Sequence, residues 1–207
     1  MNKRRFVLLS LLAFLTLAGS GCGYNTLVTK QQNVRRAWSD IETTLQRRAD
    51  LVPNLVAAAQ SAGIQEQEVF GQVAEARSRL LNATQQAPAG EGGDRTPEQR
   101  QEIINAANSF GGTLGRLLSL QESYPQLQSV DLWRGVQTEL AGTENRINVA
   151  RQDYNRAVQD YNTARGTFPT VIAAKLYGFK EEPYFQAEAG SREAPRIDPN
   201  TMRRNQN

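Results

Sequence analysis

The chain has 207 residues, enough for one domain with tails, and with 39% hydrophobic residues and a mean hydropathy of −0.55 it is a water-soluble body, not a multi-span membrane protein. One Cys and no His exclude Ser–His and Cys–His catalysis, His-ligated zinc and intramolecular disulfides. The formal charge of +3 comes from Lys3, Arg4 and Arg5; without them 21 basic residues face 21 acidic ones, and no cationic surplus remains for binding nucleic acid.

The N-terminus has the pattern of an export signal. Lys3, Arg4 and Arg5 are charged, Phe6–Ala18 is an apolar run of 13 residues, and Gly19, Ser20 and Gly21 lead to Cys22. The run is short of the ~20 residues needed to span a bilayer. Small residues before a lone Cys resemble a bacterial lipobox, in which Cys22 takes the lipid, although Gly19 stands where Leu is usual. Cleavage without lipidation and an uncleaved single apolar anchor are the alternatives. Residues 1–21 are read as signal peptide or anchor, 22–185 as the folded body and 186–207 as a disordered tail.

Four helices follow. From Tyr24 to Ala62, Val34, Ile41, Leu55 and Ala62 recur at sevens with Trp38, Leu45, Val52 and Ala59 as their partners. Arg48 is the one residue out of character. The period passes through Pro53 in phase, which predicts one kinked helix, with an in-phase restart as the competing reading. Gly63 is a suitable C-terminal cap. A polar stripe of Asn33, Asp40, Arg47 and Asn54 rides beside the seam, read as a solvated face with an Asp40–Arg47 salt bridge, against a buried network fixing register. The second helix runs from Ile64 to about Gln86 and ends in a Gly- and Pro-rich stretch, Ala87–Pro97, read as a flexible loop. Thr96-Pro97-Glu98-Gln99 is a capping-box start for a third helix, about 97–122, in which Gly111, Gly112 and Gly115 are compatible with close helix approach. Ser129 is a plausible cap for the fourth, 130–168.

That last helix carries the most regular pattern. Trp133, Leu140, Ile147, Tyr154, Tyr161 and Phe168 repeat at sevens, with Val136, Thr143, Ala150, Ala157 and Ala164 three residues on. It would be about 58 Å long and needs a partner of like length, which the first helix supplies. Pro169 stops it, and a short helix near 171–177 is expected to dock Ile172, Leu176 and Phe179 on the bundle end. The fold class is therefore all-α: an antiparallel four-helix bundle, two long helices at either end of the sequence and two shorter between, with a left-handed supercoil.

Several short motifs run through the body in order: Trp38-Ser39-Asp40-Ile41, Arg47-Arg48, Asp50-Leu51-Val52-Pro53-Asn54-Leu55, Tyr124-Pro125, Thr143-Glu144-Asn145-Arg146-Ile147, Tyr154-Asn155, Tyr161-Asn162, Phe168-Pro169, Gly178-Phe179 and Tyr184-Phe185. Together they resemble the bacterial LemA family. The resemblance implies a helical bundle held at a bacterial membrane by an N-terminal apolar segment, with its body outside the cytoplasm. It implies no enzymatic activity, and a role in envelope integrity or stress.

The residues singled out for an interhelical polar network or partner contacts are Asp40, Arg47, Arg48, Asp50, Asn54, Glu144, Asn145 and Arg146. Arg47 or Arg48 is expected to pair with Glu144 across the two long helices. Tyr154 and Tyr161 are read as core aromatics with hydrogen-bonded hydroxyls. Asp40, Asp50 and Glu144 could form a carboxylate site, but the Glu-x-x-His motif of carboxylate-bridged bundles is absent, and neither metal nor cofactor is expected. The expected function is a non-enzymatic, membrane-anchored module that binds an envelope protein. A self-assembling structural bundle is the alternative, and a carboxylate-based enzyme the third class.

Overall fold

In the computed structural model, which describes residues 3–90 and 94–186, the apolar N-terminal run and the heptads after it belong to one helix, α1 (Lys3–Ser61). The helix therefore starts well before the expected Tyr24. Pro53 lies inside α1 with its ring exposed, so the single-helix reading is correct. Proline has no N–H to give to the carbonyl four residues earlier, that of Ala49. Arg77 of the second helix fills the vacancy: its Nε donates to the Ala49 carbonyl at 2.7 Å. At the C-terminus, Gly63 adopts a φ of +81°, and the Ile64 N–H returns to the Ala59 carbonyl at 3.2 Å. This is the left-handed cap that only glycine forms without strain.

Then come α2 (Gln67–Gln85), α3 (Pro97–Ser123), a 3-10 turn (Pro125–Ser129), α4 (Asp131–Gly166) and a short α5 (Thr170–Leu176). The capping box at α3 is complete: Gln99 N–H donates to Thr96 Oγ1 and Thr96 N–H to Gln99 Oε1. Ser129 does not cap α4, whose N-cap is Val130; its hydroxyl bonds the Gln126 carbonyl instead. Among the described residues no helix is long and apolar enough to cross a membrane.

Among the described residues every regular element is a helix. Contacts between α1 and α4 run in opposite sequence order, from Lys30–Asp160 through Trp38–Tyr154 to Arg48–Glu144, so the two long helices are antiparallel. Their inner faces share one hydrophobic core with Phe70, Val73 and Leu80 of α2 and Ile103, Phe110 and Leu117 of α3. In α4 the buried positions follow the predicted alternation from Trp133 to Tyr154, then shift by one to Val158 before Tyr161. A nearly straight helix drifts about 20° per heptad against a strict seven-residue repeat, so the buried stripe has to change phase. Phe168 therefore leaves the seam. The helix has already ended at Gly166, and Phe168 is 80% exposed.

Two other expectations also change. Helix α5 docks through Ala173 and Ala174, whereas Ile172 and Leu176 face outward. Its close approach falls at Gly23, where an added Cβ would meet Ala173 Cβ and Thr170 Cα at 3.4 Å. Around Gly111 the nearest atom to such a Cβ is Arg48 Nη1 at 3.9 Å, and around Gly115 there is none within 4 Å, so these two glycines are not sites of close approach. The tail expected to be disordered lies, beyond Gln186, outside the described residues.

Candidate functional site

After α5 the chain turns at Gly178 and runs back along α4 as an extended strap, residues 180–186. Two Tyr-Asn pairs hold it. Tyr161 Oη donates to the Lys180 carbonyl and Tyr154 Oη to the Pro183 carbonyl, both at 2.8 Å. Asn162 donates to the Glu182 carbonyl and accepts from the Glu182 N–H; Asn155 does the same with Phe185. The spacing has a simple cause. Seven helical residues rise about 10.5 Å, and three extended residues span about 10 Å. A Tyr-Asn pair every seven residues therefore meets the strap every three.

Beneath the strap lies a charged core. Arg100 of α3, at a core position in phase with Ile103 and Ala107, is fully buried. Its Nη1 is 2.5 Å from Glu182 Oε2 and its Nη2 is 2.7 Å from Asp94 Oδ1. Asp94 also takes Arg35 Nε of α1 at 2.7 Å. The guanidinium lies over the Trp38 ring at 5.7 Å, and Trp38 packs on Tyr154. Five chain segments thus meet at one point: α1, the α2–α3 connection, α3, α4 and the strap. Burial pushes the Glu182 carboxyl upward and outweighs the opposing effect of Arg100. For Arg100, burial acts downward, but Glu182 and Asp94 overcome it and the net direction is up. Burial also raises the two tyrosines, Tyr161 to about 12 and Tyr154 further.

Arg95 fixes the described part of the α2–α3 connection. Its Nε donates to Glu42 Oε1 at 2.9 Å, and its two terminal nitrogens donate to the carbonyls of Thr84 and Gln86 at the end of α2. A cation at a helix C-terminus satisfies orphan carbonyls and opposes the helix dipole. The loop read as flexible is therefore pinned at residues 94–97, and residues 91–93 lie outside the described set.

The sequence-predicted residues fall into separate groups. Arg48 Nη1 reaches Glu144 Oε2 at 2.9 Å across α1 and α4. Arg151 shares the field of Glu144 and lies over the Phe185 ring at 4.4 Å, which ties this pair to the strap. Burial lowers the pKa of Arg48 and of Arg151, against the raising influence of Glu144. Arg47 is exposed and pairs with Glu139 at 2.6 Å rather than with Asp40. Asp50 meets Gln46 and, at 3.7 Å, Arg77. Asp40, Asn145 and Arg146 line a shallow groove of about 380 Å³ with Val149 and Asp153. Asn33, Asp40, Arg47 and Asn54 are all exposed, which matches the solvated reading of the stripe. Among the described residues Asp40, Asp50 and Glu144 do not gather into a ligand set. Sequence reasoning missed Arg100, Glu182 and Asp94. A charged residue in phase with the apolar face of the third helix was the available signal for Arg100; Glu182 carried none.

Fold and site together define a small helical bundle whose buried charges lock helices and strap to one another. The LemA family profile matches residues 37–198, and the chain belongs to the LemA family. It is similar to the magnetosome proteins MamQ 1 and MamQ 2 of Paramagnetospirillum magneticum, each 31% identical over 188 residues, which cover 85% of this chain and 69% of theirs. It is also similar to the magnetosome protein MamQ of Magnetospirillum gryphiswaldense, at 30% over 203 residues, 92% of this chain and 74% of the relative.

Proposed function

We propose that this protein is a non-catalytic, membrane-anchored module of the bacterial envelope that works by holding another envelope protein on its outer face. The observation that carries the reading is the continuity of α1, which leads from the apolar N-terminal run straight into the bundle core. Whatever binds the body is thereby held at a fixed place relative to the anchor. The disposition of the charged groups supports a non-catalytic role. Arg35, Asp94, Arg100 and Glu182 are engaged with one another, as are Arg48 and Glu144, so their charges are taken up by partners within the bundle. Kinship with proteins named for the magnetosome adds support for a role in an assembled structure.

The groove lined by Asp40, Asn145, Arg146 and Val149 is the proposed contact face, because Val149 is an apolar side chain 59% exposed beside unpaired polar neighbours of both helices. A photo-crosslinking amino acid at position 149 of the full chain, used in cells, tests this. A discrete adduct with one envelope protein is expected. An adduct with a second copy would instead favour self-assembly, and recovery of the monomer alone would refute the binding reading. Cys22→Ala tests the anchor: release from membranes is the result expected of a lipid, and unchanged retention that of an uncleaved apolar helix.

A further inference from the structure

At the end of the bundle where α1 enters it, apolar side chains are turned outward. Phe168 is 80% exposed, Leu176 69%, Tyr177 56% and Ile172 53%. Tyr24 joins them, with its ring 4.8 Å from Tyr177 and 5.8 Å from Phe179. They surround α5, which is seated against Gly23. Elsewhere on the described surface the exposed large hydrophobics are single: Leu132, Val149 and Tyr184.

The position of this collar decides what covers it. The apolar run ends at Ala18, five residues before Gly23 on the same helix, a rise of only about 7.5 Å. If the anchor is a lipid on Cys22, the attachment point is the residue next to Gly23. If the anchor is the uncleaved helix, the bilayer boundary falls within about two turns of it. Either way α5 lies at the depth of the lipid headgroups, where aromatic side chains are enriched and an amphipathic helix rests with its apolar face down. The chemistry of the collar fits that place: two tyrosines and a phenylalanine beside two aliphatic residues, with Lys175 exposed on the same short helix. The inward face is made of Ala173 and Ala174, so Ile172 and Leu176 are free for contact without disturbing the core.

We infer that α5 with Phe168, Tyr177 and Tyr24 forms a second membrane contact, a collar that seats the bundle on the bilayer surface and fixes its tilt. This rests on the anchored reading above and extends it from one point of attachment to a surface. It also accounts for the inward-facing alanines of α5, which let the short helix lie close against α1 just above the anchor.

The test uses the full chain in vesicles of phosphatidylethanolamine and phosphatidylglycerol. An NBD-bearing amino acid is inserted by codon reassignment at position 172, 176 or, as the control at the far end of the bundle, 132. Co-flotation with vesicles reports the anchor. Quenching by nitroxide-labelled lipid reports the collar. The expected result is co-flotation in every case, with NBD at 172 and 176 quenched at least about two-fold and NBD at 132 unchanged, as for groups at the headgroup–acyl boundary. Co-flotation without quenching at 172 and 176 would overturn the collar and leave the anchor intact. A blue-shifted but unquenched probe would identify a protein contact instead and equally overturn it. Failure to float would refute both readings.

Discussion

The proline in α1 and the arginine opposite it should behave as one unit. Pro53 leaves the Ala49 carbonyl without an intrahelical donor, and Arg77 Nε supplies one at 2.7 Å. A hydrogen bond to a charged group contributes about 1.5–3 kcal/mol. Arg77 keeps roughly a third of its side chain exposed, so the lower end applies, about 1.5 kcal/mol for Arg77→Met. In a Pro53→Ala background the restored amide at position 53 reaches the same carbonyl, and Arg77→Met then removes little beyond its weak 3.7 Å pairing with Asp50. The double-mutant cycle should therefore give a coupling of about 1 kcal/mol, with the loss confined to the Pro53 background. Urea denaturation followed by tryptophan fluorescence measures all four corners. Equal cost of Arg77→Met in both backgrounds would show that the arginine acts through packing alone and that the carbonyl is served in some other way.

Other perturbations address the strap and its charged core. Arg100→Met buries the Glu182 charge without its partner and should cost about 3 kcal/mol, the low end for a broken buried pair because Asp94 keeps Arg35. Glu182→Gln should cost less than about 1 kcal/mol, since burial already disfavours the charged form; both are read by urea denaturation. The same upward shift sets the sign with pH. The stability Glu182 contributes is complete below the ordinary value of 4.5 and declines as pH rises through its raised folded value. Mild acid therefore does not release the strap, and amide exchange at Glu182 and Phe185, corrected for intrinsic rates, should be no faster at pH 5 than at pH 7. Asn155→Ala removes a donor and an acceptor facing Phe185 and should cost about 1–3 kcal/mol, with exchange rising at the Phe185 amide before the core of α1. Raised tyrosine pKa values mean that folded-state stability falls as pH climbs through about 12, so absorbance titration should show Tyr161 ionising only there and Tyr154 only on unfolding.

The long helices were legible because burial on one face imposes a period, and a period survives in sequence. Trp133 to Tyr154 and Val34 to Ala59 could be placed on facing seams, and with them the Arg48–Glu144 pair. The capping box at Thr96 and the glycine stop at Gly63 were legible because each depends on a few adjacent residues. What could not be read depends on contacts distant in sequence. Nothing near Glu182 announces burial, since it lies outside any repeat and its partner Arg100 is far away in the chain. Arg77 looks like one more surface cation until Pro53 is set opposite it. Phe168 falls on the seven-residue repeat but not on the seam, because a real helix loses phase with that repeat and Gly166 ends it first. Glycine content in the loop before Pro97 reflects freedom in the unfolded chain and says nothing of Asp94 and Arg95 holding its far end.

The strap shows why buried charge is kept in a core that apolar residues could fill. Side chains alternate along an extended segment, so a slip of one residue exchanges every inward group for an outward one. A slip one way brings Pro183, which has no N–H, to the Asn162 carbonyl oxygen that now accepts from Glu182. A slip either way replaces buried Phe185, by exposed Tyr184 or by exposed Gln186. Arg100 reads the same register from the opposite side, through Glu182 and from a different helix. Backbone bonds to α4 set the spacing, and the ion pair to α3 sets the face. A group whose burial disfavours its own charge adds little net stability, so Glu182 is better explained as a register device than as a source of stability. The contrast between Glu182→Gln and Arg100→Met separates these roles: with the amide the strap should remain folded but hold its register less strictly, visible as exchange broadening at Phe185.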